Sequence, residues 1–230
     1  MALDTATEQM ALAVVAGERI WCAQEAGGAL ASQRLLPLAF DLLRAATLSP
    51  SQLDAIAFGR GPGAFTGLRT ACSVAQGLAL GIDCPVLAID SLMIVAEDAR
   101  LRHGVQRLWV AMDARMDEVY AGAYRFEHGC WQVERAPALF TLPALHATWA
   151  GEAPQAVAGS ALAAFGERLG AGAARRLDDG GLDRAAALAR LARAAWDHGE
   201  AIDAAQALPL YLRDKVALTT AERDAARAAP

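Results

Sequence analysis

The sequence predicts an α/β protein built from two similar halves, each a mixed β-sheet with helices packed on it. Two observations support this prediction: the order of strand-like and helix-like segments in the first half, and the return of that order in the second. Composition agrees with a folded chain that buries a sizeable core, because hydrophobic residues make up 55% of its 230 residues and charged residues only 20%.

The first half opens with an antiparallel meander. Residues 2–7, 9–17 and 18–24 have the length and apolar character of short strands, and Gly17 and Glu18 form a tight turn between the last two. Helical and strand patterns then alternate, at 30–46, 53–59, 67–81, 85–90 and 91–101. The resulting order βββαβαβα combines an antiparallel start with parallel crossover units, as expected of a ribonuclease-H-like sheet.

The second half is similar to the first. Residues 111–124 align without a gap on residues 2–15, which places Asp113 on Asp4, although matches this short also arise by chance in an alanine-rich chain. The predicted elements repeat as well. Strands run to Trp131, and a helix, a strand and two more helices follow near 142–150, 155–159, 160–169 and 183–198.

Two such lobes joined at their sheet edges enclose a cleft, with Asp4 and Asp113 at the ends of equivalent strands. This is the layout of the actin-like ATPase (ASKHA) fold, in which these acidic turns face nucleotide phosphates and their metal ion. We therefore expect a first lobe at 1–105, a second lobe at 106–218 whose last segment packs back on the first, and a flexible tail at 219–230.

Composition disfavours several function classes. The net charge of -5 provides no general basic field for nucleic acid. The four cysteines and four histidines occur singly, without the spacing of a zinc site or a disulfide framework, so we predict no bound metal. No apolar run reaches the roughly 18 residues of a membrane span, and no signal peptide is recognisable, which predicts a cytoplasmic protein without membrane contact.

The glycine-rich stretch GRGPGAFTGLRTACSVAQGLALG, residues 59–81, is similar in composition to phosphate-binding loops. It contains no lysine and is therefore no Walker A loop, and its weak GxGxxA match has Pro62 where a backbone donor is needed. The glycines instead predict a sharp exit from a strand, with Thr66 as the N-cap of a helix that starts at Gly67.

Small residues recur on one face of that predicted helix, at Gly67, Ala71, Ala75 and Ala79. Such a stripe lets another element approach closely. The sequence leaves open whether that element is the protein's own sheet, a neighbouring helix or another chain.

The preceding helix, at about 30–46, has apolar residues around more of its circumference than a single buried face requires. Two of its faces are therefore candidates for burial, within one chain or against a partner. Pro37 lies inside this segment and should kink the helix or mark its first turn.

Asp4, Thr5, Thr7 and Asp113 are the candidates for a nucleotide-phosphate site in a complete actin-like cleft. Aspartate and threonine turns after a strand are also common structural caps, so both interpretations stay open. If these residues bind nucleotide, the alternative function is that of an independent actin-like ATPase or a small-molecule kinase.

At several places the chain resembles the TsaB (YeaZ-like) family, bacterial proteins of tRNA threonylcarbamoyladenosine (t6A37) biosynthesis. Residues 59–81 look like the signature of that family. Four further segments match in the family's order: ALDTAT, SQRLLPL, VAMDARMDEVYAGAY and PLYLRDKVAL. Together the matches cover nearly the whole chain.

The resemblance implies a scaffold or activator subunit that is not itself an enzyme. Such proteins pair with the related enzyme TsaD, which transfers threonylcarbamoyl to N6 of adenosine 37 in ANN-decoding tRNAs, and the ATPase TsaE completes the complex. The resemblance also implies a homodimer when the protein is alone, tRNA contact only through the complex, and no cofactor of its own, while allowing ATP or ADP at the interface with TsaD. In TsaD the first interface helix carries a histidine pair for a metal, whereas this chain has Ser32, Gln33 and Arg34.

In both pairings the implied interface is a helical bundle formed by the helices near 30–46 and 66–81. The residues assigned to this interface are Arg34, Leu35, Leu38, Leu42, Phe65, Thr66, Leu68, Arg69, Ala71, Cys72, Ala75, Gln76 and Ala79.

Overall fold

The computed structural model of the chain describes residues 1–177 and 183–213. The first lobe contains a five-stranded sheet and three helices. Its strands are β1 (Ala2–Asp4), β2 (Gln9–Ala16), β3 (Arg19–Ala26), β4 (Ile56–Gly61) and β5 (Val86–Asp90). Its helices are α1 (Ala31–Ala46), α2 (Phe65–Ile82) and α3 (Ser91–His103).

The second lobe contains another five-stranded sheet. Its strands are β6 (Arg107–Asp113), β7 (Glu118–Glu127), β8 (Cys130–Thr141), β9 (Ala156–Ala158) and β10 (Arg175–Leu177). The helices of this part of the chain are α4 (Leu142–Gly151), α5 (Ala161–Phe165) and α6 (Arg184–Asp197).

The two sheets have the same topology. Their strand orders are β3-β2-β1-β4-β5 and β8-β7-β6-β9-β10. In each sheet the first three strands of the sequence pair antiparallel, and the last two add in parallel. The predicted repeat is therefore present, and the chain has the expected α/β architecture of two RNase H-like lobes in an actin-like fold.

Apolar side chains cover both faces of the first sheet. On one face, α1 and α2 pack on the sheet through a cluster that includes Leu35 and Phe58. On the other face lies α6, whose Leu188 and Leu191 pack against the strands, although α6 follows the second lobe in the sequence. The end of the described chain also returns to the first lobe, because the Leu210 amide donates a 2.7 Å hydrogen bond to the Arg60 carbonyl.

The start of α2 differs from the prediction. The N-cap residue is Ala64 and the helix begins at Phe65, so Thr66 lies in the first turn and is not the N-cap. The Ala64 amide donates to the Ala6 carbonyl at 2.8 Å, and the Ala64 carbonyl accepts from the Leu68 amide at 2.9 Å. The contact with the first strand's turn therefore sets the beginning of the helix.

Pro37 does not mark the first turn of its helix, because α1 already begins at Ala31. A short 3-10 turn, Gly28–Leu30, leads into α1 and supplies the preceding turn of backbone. Similarly, the single helix predicted at 160–169 is divided: α5 ends at Phe165, and a 3-10 turn begins at Gly166, whose φ of 54° lies in the left-handed region.

Two edge strands of the second sheet differ from the sequence prediction. Strand β8 continues to Thr141, well past the predicted end at Trp131, and β10 is not predicted at all. Both are edge strands. Half-exposed polar residues and the internal Pro137 obscure the strand pattern of β8, and a proline of this kind is tolerated only at a sheet edge.

Within residues 1–177 and 183–213, no helix is both long enough and apolar enough to cross a membrane. The predicted flexible tail, 219–230, lies outside the described residues.

Candidate functional site

A cleft with a volume of about 1030 Å³ separates the two lobes, and we call it the inter-lobe cleft. The first lobe contributes the turn after β1 and the loop between β4 and α2 to its walls. The second lobe contributes the turn after β6 and part of α5. Arg184, at the start of α6, and residues 210–213 complete the lining.

Asp4 lies at the end of β1, as predicted, but its carboxylate is buried and fully engaged. Its Oδ2 accepts a hydrogen bond from Nη2 of Arg184 at 2.5 Å, and the two side chains are 0% and 2% exposed. Its Oδ1 accepts from the Ser91 hydroxyl at 3.0 Å. Asp4 does not line the cleft. In this structure Arg184 is its counter-ion, and its assignment as a phosphate-site residue stays a prediction.

Gly59 explains how the buried carboxylate fits beside β4. A Cβ atom built on Gly59 would lie 1.8 Å from Oδ1 of Asp4. This distance is too short for any residue with a side chain, so only glycine fits at this position. The close contact with Asp4 therefore requires a glycine here.

A second buried carboxylate, Asp90, lies at the end of β5, directly before Ser91. It accepts hydrogen bonds from the Tyr124 hydroxyl at 2.7 Å and from the Leu92 amide at 2.9 Å. Burial raises the pKa of Asp90 above its ordinary value, and it also raises the pKa of the Tyr124 hydroxyl. Ser91 links Asp4 to the neighbouring strand β4, because its hydroxyl donates to Asp4 and accepts from the Gly61 amide at 3.1 Å.

Thr5 and Thr7 form hydrogen bonds with the backbone around the turn after β1. The Thr5 hydroxyl is buried and donates to the Gly67 carbonyl at 2.6 Å, so Thr5 fastens the β1 end to α2 and is not available to a phosphate. The Thr7 hydroxyl caps its own turn, donating to the Gln9 carbonyl at 3.1 Å and accepting from the Gln9 amide at 3.2 Å. Thr7 does line the cleft.

Asp113 lies at the end of β6, at the position equivalent to Asp4, and it lines the cleft. It accepts from the Arg115 amide at 2.8 Å and from the Arg115 guanidinium at 3.3 Å. Of the four candidates, only Thr7 and Asp113 therefore line the cleft. Their assignment to nucleotide stays a prediction. Among the described residues, no group of three or more His, Cys, Asp or Glu could hold a metal ion.

Most of the residues assigned to the helical interface face the core of their own lobe. The small-residue stripe of α2 packs on the first sheet, so the protein itself supplies the close neighbour. The buried members of the set are Leu35, Leu38, Leu42, Leu68, Ala71, Cys72, Ala75 and Ala79. These side chains therefore expose little surface in the lobe as described, and their assignment to a partner interface stays a prediction.

The C-terminal segment, residues 204–213, covers one flank of α2. The ring of Tyr211 lies 5.1 Å from that of Phe65, and its hydroxyl accepts from Nε of Arg69 at 3.1 Å. Further along, Gln76 donates to the Ala204 carbonyl at 2.9 Å. This flank is therefore occupied by the chain itself.

The remaining two interface residues lie on the surface of the first lobe. Thr66 is exposed near the start of α2. Arg34 is exposed on α1 and forms an ion pair of 2.9 Å with Glu25.

The second face of α1 that the sequence made a candidate for burial is exposed, and α2 also exposes an apolar side chain. The large exposed side chains are Leu36, Phe40 and Leu80, which are 39%, 37% and 66% exposed. Gly77 and Gly81 lie on the same side of α2, and a Cβ at either would meet no other atom within 4 Å. We call these five residues the outward face. Leu36 and Phe40 are one turn apart and therefore lie on one side of α1.

Comparison with known proteins identifies relatives of the whole architecture. The family model described as "TsaD: tRNA N6-adenosine threonylcarbamoyltransferase" matches residues 28–146, just over half of the chain. A structure titled "YeaZ from Pseudomonas aeruginosa" superposes with a TM-score of 0.82 and 40% identity, covering 92% of this chain and 98% of that chain.

Two curated relatives carry the name "tRNA threonylcarbamoyladenosine biosynthesis protein TsaB". The Escherichia coli protein is 38% identical over 147 residues, and the Haemophilus influenzae protein is 42% identical over 121 residues. These alignments cover 64% and 52% of this chain, and they span only 64% and 51% of the relatives' own lengths. Together with the matching family model and the match along nearly the full YeaZ structure, they show that the chain belongs to the TsaB (YeaZ-like) family.

Proposed function

We propose that this protein is a non-catalytic subunit of t6A biosynthesis that pairs with a TsaD enzyme. In this role it would support the transfer of threonylcarbamoyl to N6 of adenosine 37 in ANN-decoding tRNAs, while the chemistry takes place on TsaD. Membership of the TsaB family supports the pathway. The structural observation that supports pairing with TsaD is the outward face of α1 and α2.

The outward face suits a helical bundle with a partner. Leu36, Phe40 and Leu80 expose apolar area to water, and burying it against a partner would contribute roughly 25 cal/mol per Å² before the costs of association. The glycines of α2 leave room for a second helix to approach closely. On this proposal the same face forms a homodimer when the protein is alone.

The remaining members of the complex follow from the same proposal. TsaE would join the assembled pair, and the protein would contact tRNA only through the complex. ATP or ADP would bind at the interface with TsaD. The cytoplasm is the expected location.

The buried state of Asp4 supports a role without catalysis. An actin-like ATPase needs an acidic side chain that is free to face phosphate and metal, and both oxygens of Asp4 are instead held by Arg184 and Ser91. Asp113 remains in the cleft, but it lacks the second carboxylate with which it was predicted to act.

The pairing is tested with variants of the outward face. Leu36→Glu and Phe40→Glu place a charge at the centre of the proposed interface, and we expect each to weaken binding to TsaD at least about tenfold. Leu101→Glu is the matched control, because Leu101 is equally exposed, at 40%, and lies on α3 away from this face. Light scattering after size-exclusion chromatography measures both the homodimer and the TsaD complex.

The proposed activity is tested by reconstitution with TsaD, TsaE, ATP, bicarbonate, threonine and tRNA. We expect no modification by the isolated protein and strong dependence of the mixture on it. Full t6A formation without the protein would overturn the proposal. Unchanged TsaD binding by Leu36→Glu and Phe40→Glu would overturn the choice of face.

A further inference from the structure

The two helices that form the outward face are positively charged, although the chain as a whole is negative. Helices α1 and α2 contain three arginines, Arg34, Arg44 and Arg69, and a single carboxylate, Asp41, so together they have a net charge of +2. The net charge of the full chain is -5. The helices of the proposed partner surface therefore differ in the sign of their charge from the rest of the chain taken together.

Two of these arginines already have carboxylate partners within the chain. Arg34 pairs with Glu25 on β3 at 2.9 Å, and Arg44 pairs with Asp41 on its own helix. Arg69 has no carboxylate partner among the described residues, and the one hydrogen bond of its side chain there is made by Nε. Arg69 is exposed, and it does not line the inter-lobe cleft. Its Nη1 and Nη2 are therefore free to bind a group from outside.

Neighbouring side chains hold the guanidinium of Arg69 in one orientation. Its central carbon lies 3.9 Å from the centre of the Phe65 ring, and its Nε donates to the Tyr211 hydroxyl at 3.1 Å. Tyr211 belongs to the returning C-terminal segment, so α2 and that segment position the group together. A stacked guanidinium with two free terminal nitrogens is suited to a carboxylate, because it pairs with both oxygens and loses little side-chain freedom on binding.

Arg69 is continuous with the outward face. Arg69, Ser73, Gly77 and Gly81 follow one another at four-residue intervals on α2, and all four positions are exposed. Residues at this spacing form one ridge on the surface of a helix. A partner helix that packs on the outward face can therefore also contact Arg69.

We propose that Arg69 determines the specificity of the pairing surface, and that the partner subunit presents a carboxylate side chain to its Nη1 and Nη2. Tyr211 is a positioning residue that holds the guanidinium. A second copy of this chain offers no such group on these helices, since their single carboxylate, Asp41, already pairs with Arg44. This role of Arg69 rests on the proposed pairing with TsaD, and it supplies the chemistry by which TsaD is preferred over a second copy.

The role of Arg69 is tested by measuring TsaD binding and homodimer formation separately. We expect Arg69→Gln to weaken TsaD binding at least about tenfold and to leave the homodimer unchanged or tighter. Arg175→Gln is the matched control, because Arg175 is exposed on the edge strand β10 of the second lobe and the same charge change there should alter neither equilibrium. Calorimetry measures the affinity for TsaD, and light scattering after size-exclusion chromatography measures the homodimer.

Two further variants separate the charge of Arg69 from its geometry. Arg69→Lys keeps the charge but loses the planar guanidinium, so TsaD affinity should still fall with rising NaCl concentration but should recover only in part. Tyr211→Phe removes the hydroxyl that accepts from Nε, and it should weaken TsaD binding about two- to fivefold. In the Arg69→Gln background, Tyr211→Phe should have no further effect.

Equal TsaD affinity of Arg69→Gln and Arg175→Gln would overturn this role of Arg69, and so would equal losses in the homodimer and the TsaD complex. If Leu36→Glu weakens TsaD binding and Arg69→Gln does not, the proposed pairing stands and the role of Arg69 is wrong. If the original protein does not bind TsaD, the proposed pairing is wrong and the role of Arg69 is wrong with it.

Discussion

At the scale of single residues, the ion pair between Asp4 and Arg184 joins side chains 180 positions apart in the sequence. Removing two charges from water costs several kcal/mol for each ion, and their attraction offsets this only when the geometry is close and other hydrogen bonds are made. Here the contact is 2.5 Å and Ser91 adds a hydrogen bond to Asp4, whereas Nε and Nη1 of Arg184 have no partner among the described residues. The pair holds the start of α6 against the end of β1.

Breaking this pair on one side should be more damaging than removing both charges. Arg184→Met leaves the Asp4 carboxylate buried without a counter-ion, and we expect the free energy of unfolding to fall by about 3–5 kcal/mol. Adding Asp4→Asn to that variant should recover most of the loss, since no unpaired charge remains. Urea unfolding of the single and double variants measures both effects. Additive losses in the double variant would contradict this explanation.

At the scale of elements, α2 has two faces made of small residues, and they have different roles. Ala71 and Ala75 lie on the buried face against the first sheet, while Gly77 and Gly81 lie on the outward face. A stripe of small residues in a sequence predicts close approach, but it does not reveal which neighbour approaches. That depends on the side of the helix on which the sheet lies.

Substitutions on the two faces of α2 should therefore have opposite effects. Gly77→Ala adds a methyl group into open space and should stabilise the monomer by up to about 1 kcal/mol through higher helix propensity. Ala75→Leu overpacks a fully buried position and should destabilise it by about 1–3 kcal/mol. Thermal and urea unfolding of the monomer would measure both changes. Destabilisation by Gly77→Ala would mean that its side of the helix is not free.

Sequence patterns are local, and this explains which elements the sequence predicts. Helices α1 and α2 and the strands β2, β4 and β5 have strong local patterns, and the sequence predicts them to within a few residues. Strand β10 has only three residues, of which Arg175 and Arg176 are exposed, so it carries no strand pattern of its own. Its existence depends on pairing with β9.

At the scale of the whole molecule, the chain crosses back and forth between the lobes. The sequence repeat predicts two equivalent sheets and places Asp4 and Asp113 at equivalent strand ends, and the structure agrees. It does not predict that Arg184 reaches Asp4, because no local pattern relates a residue of α6 to the first strand. The two aspartates are therefore equivalent in position but differ in their partners. Asp4 forms a buried ion pair with Arg184, whereas Asp113 lines the cleft.

The hydrogen bond between Asp90 and Tyr124 also joins the lobes. The burial of Asp90 at this contact makes stability depend on pH. Burial raises the pKa of Asp90 in the folded protein, so the folded state retains this proton to a higher pH than the unfolded state does. The contribution of Asp90 is therefore fully present below its ordinary pKa of 3.8 and is lost as pH rises through the raised value.

Asp90→Asn removes this titration and keeps an acceptor for the Tyr124 hydroxyl and the Leu92 amide. We expect the free energy of unfolding of the variant, relative to the original protein, to increase as pH rises from 3.8 and to level off above the raised pKa. Urea unfolding at a series of pH values measures the difference, in which the other carboxylates cancel. Tyr124→Phe serves as a control, because it removes the hydrogen bond but leaves the carboxylate to titrate. A difference that stays constant with pH, or decreases, would show that burial does not control the protonation of Asp90.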